Sequence, residues 1–150
     1  MAIVTIVGAG MMGSALAFPA RENGHEVRLV GTHLDRDIID ASIKTGRHPK
    51  FNKDFPAGVK YYQIEALEEA MNGADVIVFT AGLGENDRLV REGICENMEY
   101  LGVKFDKELN MTCPRGEKVV LSTPDSKVKV VMFPTDEEFM IASDTYDLVK

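Results

Sequence analysis

The chain has 150 residues and 16.6 kDa, 45% of them hydrophobic and 27% charged, enough for one domain with a full core and of ordinary soluble composition. A net charge of −7 with 17 scattered basic residues excludes a nucleic-acid footprint, and the longest apolar run, around Val76–Phe79, is too short to cross a bilayer. No charged region precedes the first apolar run, so no secretory leader is expected, and Cys95 and Cys113, whose spacing fits no metal or redox motif, point to a reducing, cytoplasmic setting.

Ala2 to Val7 is a short β-branched run that reads as a buried parallel strand. Gly8-Ala9-Gly10-Met11-Met12-Gly13 follows, then a helix through Asn23 that stops at Gly24. Pro19 inside that helix is expected to kink it or to cost stability. Val27 to Val30 is a second strand. Thr32 and Asp35 have the spacing of a capping box, ahead of a helix with Ile38, Ile39 and Ile43 on its apolar face and an end near Gly46. Residues 48–58 hold two prolines and read as loop. Val59 to Tyr62 is a third strand. A short amphipathic helix carries Ala66, Leu67, Ala70 and Met71 and stops at Asn72-Gly73.

Asp75 to Thr80 reads as a fourth strand, and Ala81-Gly82-Leu83-Gly84-Glu85-Asn86 as a glycine loop. A longer helix is expected with Val90, Ile94, Met98 and Leu101 on one face and Gly102 as its cap. Lys118–Ser122 and Val128–Phe133 are strands joined by a turn at Thr123–Ser126. Thr135 and Glu138 suggest a second capping box before a last helix with Phe139, Met140, Ala142 and Tyr146. Alternating strands and helices predict an α/β fold: a single doubly wound, Rossmann-like, mainly parallel sheet with helices on both faces. The expected strand order is 3-2-1-4-5, with Val128–Phe133 fifth and Lys118–Ser122 an antiparallel edge. One domain over residues 1–150 is expected.

Gly8-x-Gly10-x-x-Gly13 lies between a strand and a helix, the context in which this pattern binds a dinucleotide. Gly8 allows the turn, Gly10 lets the backbone approach a pyrophosphate, and Gly13 lets the helix pack closely. Amides at the helix start then favour an anion. The bland alternative is that the glycines serve only the turn and the packing. The acid expected at the end of the second strand is missing, since that stretch reads Val30-Gly31-Thr32-His33. With Thr32, His33 and Arg36 nearby, the preference tilts from NAD toward NADP, and Asp35 is a late substitute for the acid or a helix cap. His25, His33 and His48 form no ligand pattern, and the eight methionines read as core fillers.

Two resemblances divide the chain. Gly8-Ala9-Gly10-Met11-Met12-Gly13-Ser14-Ala15-Leu16-Ala17, Asn23-Gly24-His25-Glu26-Val27, Gly31-Thr32-His33-Leu34-Asp35, His48-Pro49, Leu67-Glu68-Glu69-Ala70 and Ala74-Asp75-Val76-Ile77 resemble NAD(P)-dependent glycerol-3-phosphate dehydrogenase over residues 1–79. The resemblance implies cofactor contacts at Gly8, Gly10, Met11, Met12 and Gly13. The family's substrate domain and catalytic lysine are not in this sequence. Phe79-Thr80-Ala81-Gly82-Leu83-Gly84-Glu85-Asn86, Leu89-Val90-Arg91-Glu92, Leu101-Gly102-Val103-Lys104, Arg115-Gly116, Ser122-Thr123-Pro124-Asp125-Ser126-Lys127-Val128 and Pro134-Thr135-Asp136-Glu137-Glu138 resemble acetate kinase over residues 74–150. That resemblance implies ATP contacts at Gly82, Gly84 and Asn86 and a magnesium-organising role for Glu137. Asp136 stands where that family commonly has asparagine. Asn86 as a mere helix cap and Glu137 as a dipole partner are the plain alternatives.

Together the resemblances imply an engineered or recombined chimera joined within residues 74–80, with no complete active site and no metal centre; the alternatives are the NAD(P)-binding domain of a glycerol-3-phosphate-dehydrogenase-like oxidoreductase and an ATP-binding fragment of an acetate-kinase-like phosphotransferase. Nucleotide binding is expected where the first and fourth strands meet, with NADP or NAD ahead of ATP. Self-association is expected because kinase-like helices have lost their packing partners.

Overall fold

A computed structural model describes residues 1–51 and 53–150, which divide into two units, Met1–Ala74 and Asp75–Lys150. In the first unit β1 (Ile3–Val7) runs parallel to β2 (Glu26–Val30), and β2 runs parallel to β3 (Lys60–Tyr62), in the order β1-β2-β3. The register sets Val4 beside Val27 and Ile6 beside Leu29. That alternation turns one face inward, onto a core completed by Ala17, Ile39, Phe55 and Val59. The other face carries Thr5 and Arg28. The Thr5 hydroxyl donates to the Ala70 carbonyl at 2.6 Å. The Arg28 guanidinium donates to the carbonyls of Ala70 and Asn72, 3.0 and 2.8 Å away. These are carbonyls at the end of α3 (Leu67–Met71), which no intrahelical amide serves.

Helix α1 (Met11–Glu22) runs through Pro19 without a break. Pro19 and Ala15 both face solvent, so water can meet the carbonyl that the proline cannot bond and the helix continues past it. Helix α2 (Arg36–Thr45) buries Ile39 and Ser42, whereas Ile43 is exposed, contrary to the expected apolar face. It ends at Gly46 in the left-handed region.

In the second unit β4 (Val76–Phe79) pairs in parallel with β6 (Lys129–Met132), and β5 (Val119–Val120) joins β6 antiparallel, in the order β4-β6-β5. Phe79, Leu121, Val130 and Met132 line one face and close a core with Cys95, Val103 and Cys113. The α/β class, the run of the first three strands, the parallel fifth strand and the antiparallel edge match the expectation. The single continuous sheet does not. Among the described residues β1 pairs only with β2 and β4 only with β6, giving two three-stranded sheets. Apolar runs specify that a strand is buried, not which edge it meets, and here each sheet fills its own core.

Four further helices differ from expectation. The second glycine segment is helix α4 (Ala81–Asn86), not a loop. The long helix after it is α5 (Arg88–Cys95) followed by a separate 3-10 turn at Glu99–Leu101, with Asn97 at φ 64° between them. Helix α6 (Lys107–Thr112) lies in a stretch with no sequence assignment, capped by the Asp106 carboxylate accepting from the Leu109 amide at 2.9 Å. The last helix, α7 (Glu137–Val149), is capped by Asp136 rather than Thr135.

Candidate functional site

The first glycine turn begins where the β1–β2 ladder ends. The Gly8 amide donates to the Val30 carbonyl at 2.9 Å, so the chain leaves both strand ends together. Gly8 has φ 106°, which only glycine adopts without strain. A β-carbon on Gly13 would overlap the Gly8 carbonyl oxygen, so the helix can approach the turn this closely only with glycine there. Ser14, fully buried, donates to the Ala9 carbonyl at 2.9 Å and fixes the turn against α1.

Gly10 is different. Its φ of −62° suits any residue, and a β-carbon there would meet no atom within 4 Å. The fold itself makes no demand for glycine at this position. The space it leaves open lies at the start of α1, whose N-cap supplies no side-chain hydrogen bond and whose first turn holds no acid. Helix-start amides there and the positive end of the helix dipole suit a phosphate, and a bare backbone lets it come close. Met11 and Met12 follow with exposed side chains, so any contact they make with an anion is through the backbone.

Asp35 closes the other wall. Its Oδ2 accepts from the Ala9 amide at 3.1 Å, the Thr32 amide at 2.9 Å and the Thr32 hydroxyl at 2.7 Å. Burial pushes its carboxyl up, but the hydrogen bonds from Thr32 and Ala9, with the charge of His33, outweigh that and hold it below the usual aspartate value. The expected capping box is therefore a different device: Thr32 and Asp35 bond each other and the glycine turn, and Asp35 gives α2 no side-chain cap. The structure thus gathers Gly8, Gly10, Met11, Met12, Gly13 and Thr32 around one turn. His33 stands exposed in the adjoining loop. Arg36 is turned to Glu65, which binds its guanidinium.

In the second glycine segment Gly84 serves packing, while Gly82 is exposed with open space around it. A β-carbon on Gly84 would sit 3.1 Å from the Phe79 carbonyl carbon, so this glycine lets α4 close on β4. The Asn86 amide group donates to the Gly82 carbonyl at 3.0 Å and is spent on its own helix. The cap of α5 is Asp87, whose Oδ1 accepts from the Leu89 and Val90 amides. Beneath lies Arg91, only 1% exposed. Its Nη1 donates to the carbonyls of Gly84 and Glu85 at 2.9 and 2.8 Å, and its Nε to Asn110 Oδ1 at 2.8 Å. Asn110 in turn donates to the Arg88 carbonyl. Glu85 accepts from the Thr135 amide and hydroxyl, both at 2.8 Å. The proposed magnesium role of Glu137 falls on a side chain outside the described ones.

Sequence reasoning missed Asp35 as a member of the glycine turn and Arg91 as the centre of the second unit. Asp35 had a signal, because an acid after a Thr at this spacing can reach back across a strand end. Arg91 had a weaker one: Arg91 and Cys95 are four apart, one helix face, and both are buried. Of the histidines, His48 is fully buried and rests on Phe51 with ring centroids 4.5 Å apart, a packing role. No cluster of three or more His, Cys, Asp or Glu side chains suited to a metal occurs among the described residues. No helix there is long and apolar enough to cross a membrane.

Comparison with known proteins places two families on the chain. Over residues 3–90 it belongs to the NAD-dependent glycerol-3-phosphate dehydrogenase N-terminus family, and over residues 55–143 to the acetokinase family. The acetokinase match thus starts ahead of residue 74, where its motifs first become readable, and the two matches share residues 55–90. An acetate kinase of Parabacteroides distasonis is 42% identical over 93% of this chain and 35% of its own length. One of Clostridioides difficile is 51% identical over 77% of this chain and 28% of its own length. The solved acetate kinase of Porphyromonas gingivalis is 49% identical over 58% of this chain and 22% of its own, with a TM-score of 0.48. The chain therefore spans about a third or less of the length of these relatives.

Proposed function

We propose that this chain is a recombined or engineered α/β protein, joined within residues 74–80, whose first unit binds a nicotinamide dinucleotide and which carries out neither parent reaction. The observation that supports binding is Gly10, a glycine that the fold does not need, set before the start of a twelve-residue helix. The first wall of the site is Gly8 to Gly13, with Met11 and Met12 contributing backbone only. Thr32 and His33 form the rim. Both families use nucleotides, which is compatible with this reading. ATP at Gly82, Gly84 and Asn86 is the second reading. It is the weaker one, because α4 has only six residues and Asn86 is already bonded to Gly82.

A ¹⁵N-resolved titration with NAD⁺, NADP⁺ and ATP tests both. The expected result is shifts confined to residues 8–13 and 31–35 with the dinucleotides. A dispersed spectrum that ignores all three ligands overturns the reading. Turnover of glycerol 3-phosphate with NAD⁺ above background, or of acetate with ATP, overturns the statement that neither reaction is catalysed.

The chain also self-associates on this reading. Phe139, Ile141, Tyr146, Leu148 and Val149 on α7 are all exposed. So are Val78 and Val120, which flank Val131 in one row across the second sheet. Sedimentation is expected to show species heavier than the 16.6 kDa chain, and a monomer alone overturns this.

A further inference from the structure

We propose that Asp35 is the residue that selects the dinucleotide, and that it selects NAD over NADP. This rests on the reading of the first glycine turn as a nucleotide site and reverses the preference suggested by sequence alone. A tilt toward NADP needs a cation or a free donor beside the ribose 2′-position and no acid there. The three groups that suggested it are Thr32, His33 and Arg36.

Arg36 is committed elsewhere. Its guanidinium binds Glu65 through both terminal nitrogens, and it also faces Asp40. Thr32 is committed to Asp35 through both its amide and its hydroxyl. Only His33 remains, and it stands exposed to solvent in the loop rather than held against the turn.

An acid, meanwhile, is present. Asp35 lies outside β2, but its Oδ2 bonds the Ala9 amide inside the glycine turn and the Thr32 amide two residues past the strand end. A carboxylate fastened to both strand ends occupies the neighbourhood that a ribose-binding acid would occupy from the end of β2 itself. All three of its hydrogen bonds end on Oδ2, which leaves Oδ1 to accept from a ribose hydroxyl. The same negative charge repels a 2′-phosphate, which carries nearly two negative charges at pH 7. Gly31 helps the placement. A β-carbon there would crowd Ile39 at 2.6 Å and Asp35 at 3.3 Å, so the small residue lets the loop fold the acid back onto the turn.

The test is the ratio of dissociation constants for NAD⁺ and NADP⁺ on the whole chain, by calorimetric titration. NAD⁺ is expected to bind at least tenfold more tightly. Asp35→Asn keeps the size and an acceptor but removes the charge, and is expected to bring the ratio within about threefold, with folding checked by circular dichroism. Glu65→Gln, at a residue whose side chain bonds Arg36 and not the turn, is expected to free Arg36 and to tighten NADP⁺ severalfold while leaving NAD⁺ unchanged. A purely structural Asp35 would lower both affinities together and leave the ratio alone. Equal affinities in the parent chain, or an unchanged ratio in Asp35→Asn, overturn the proposal and leave the nucleotide site standing. Failure of both dinucleotides to bind overturns the two readings together.

Discussion

The two glycine segments of this molecule look alike in sequence and differ in what their glycines are for. In the first, Gly8 serves the turn, Gly13 serves the packing, and Gly10 serves neither. In the second, Gly84 serves the packing against Phe79, and Gly82, with no atom within 4 Å of a β-carbon, lies within a helix whose last residue bonds back to it. The polar groups differ in the same sense. Around the first turn a carboxylate, Asp35, gathers amides and leaves the helix start open. Beneath the second a guanidinium, Arg91, gathers carbonyls and ties the segment to α5 and α6. Neither Gly10 nor Gly82 is demanded by packing; what separates them is that Gly10 stands before a twelve-residue helix whereas Gly82 lies inside a six-residue one.

The largest expected effect breaks the second segment. Arg91→Ala removes the partner of two buried carbonyls and of Asn110, and leaves a cavity. It is expected to cost roughly 3 kcal/mol or more in urea unfolding of residues 75–150. Lysine in its place restores the charge but not the planar set of donors, and is expected to recover less than half of the loss. Dinucleotide affinity in the first unit is expected to change by less than twofold in either variant. A loss of binding with Arg91→Ala would mean that the comparison between independent segments is wrong.

Alanine at the glycines sharpens the contrast. Gly13→Ala is expected to destabilise the first unit by about 2 kcal/mol, because backbone rather than a flexible side chain must give way. Gly10→Ala is expected to leave the melting temperature nearly unchanged and to weaken the dinucleotide tenfold or more. Gly82→Ala is expected to stabilise α4 by about 0.5–1 kcal/mol, through helix propensity alone. If Gly10→Ala melted early and still bound, the turn would be structural and the ligand reading of Gly10 lost.

The smallest effect is in pH. Asp35 has a lowered value in the folded chain, so its contribution to stability is present above the ordinary aspartate value and is lost as pH falls through the lowered one. In the second unit Asp125, held at about 2 by hydrogen bonds from Lys104 and Thr123, behaves in the same direction at a fully exposed site. Asp35→Asn is expected to flatten the acid limb for residues 1–74 and to leave that of residues 75–150 unaltered. An identical acid limb in parent and variant, read by resolved amide signals, would show that the Asp35 bonds form no differently in the unfolded chain.

Much of this was legible in the residues. Both glycine motifs, the first three strands and their order, the parallel pairing of the strand at Val128–Phe133 and the two family resemblances follow from local pattern. So does the requirement for glycine at residue 8, which is a local backbone matter. The short helices α4 and α6 were not legible, since six residues give too little period to read. Nor was the break after Cys95, where Asn97 takes a left-handed turn within an otherwise helical pattern. The pairing of sheets was hidden for another reason: an apolar strand announces burial and leaves its neighbour to long-range packing.

What the sequence by itself determined is the inventory: two α/β fragments, their strands, and glycines where turns and close packing demand them. These depend on backbone sterics and on short-period burial, which neighbouring residues settle among themselves. Only the tertiary structure decided that Arg36 goes to Glu65, that Asp35 returns to the first glycine turn, and that Arg91 lies buried under the second. Charged side chains on long or hinged stems have many partners within reach. Which one wins depends on desolvation and geometry set by distant parts of the chain.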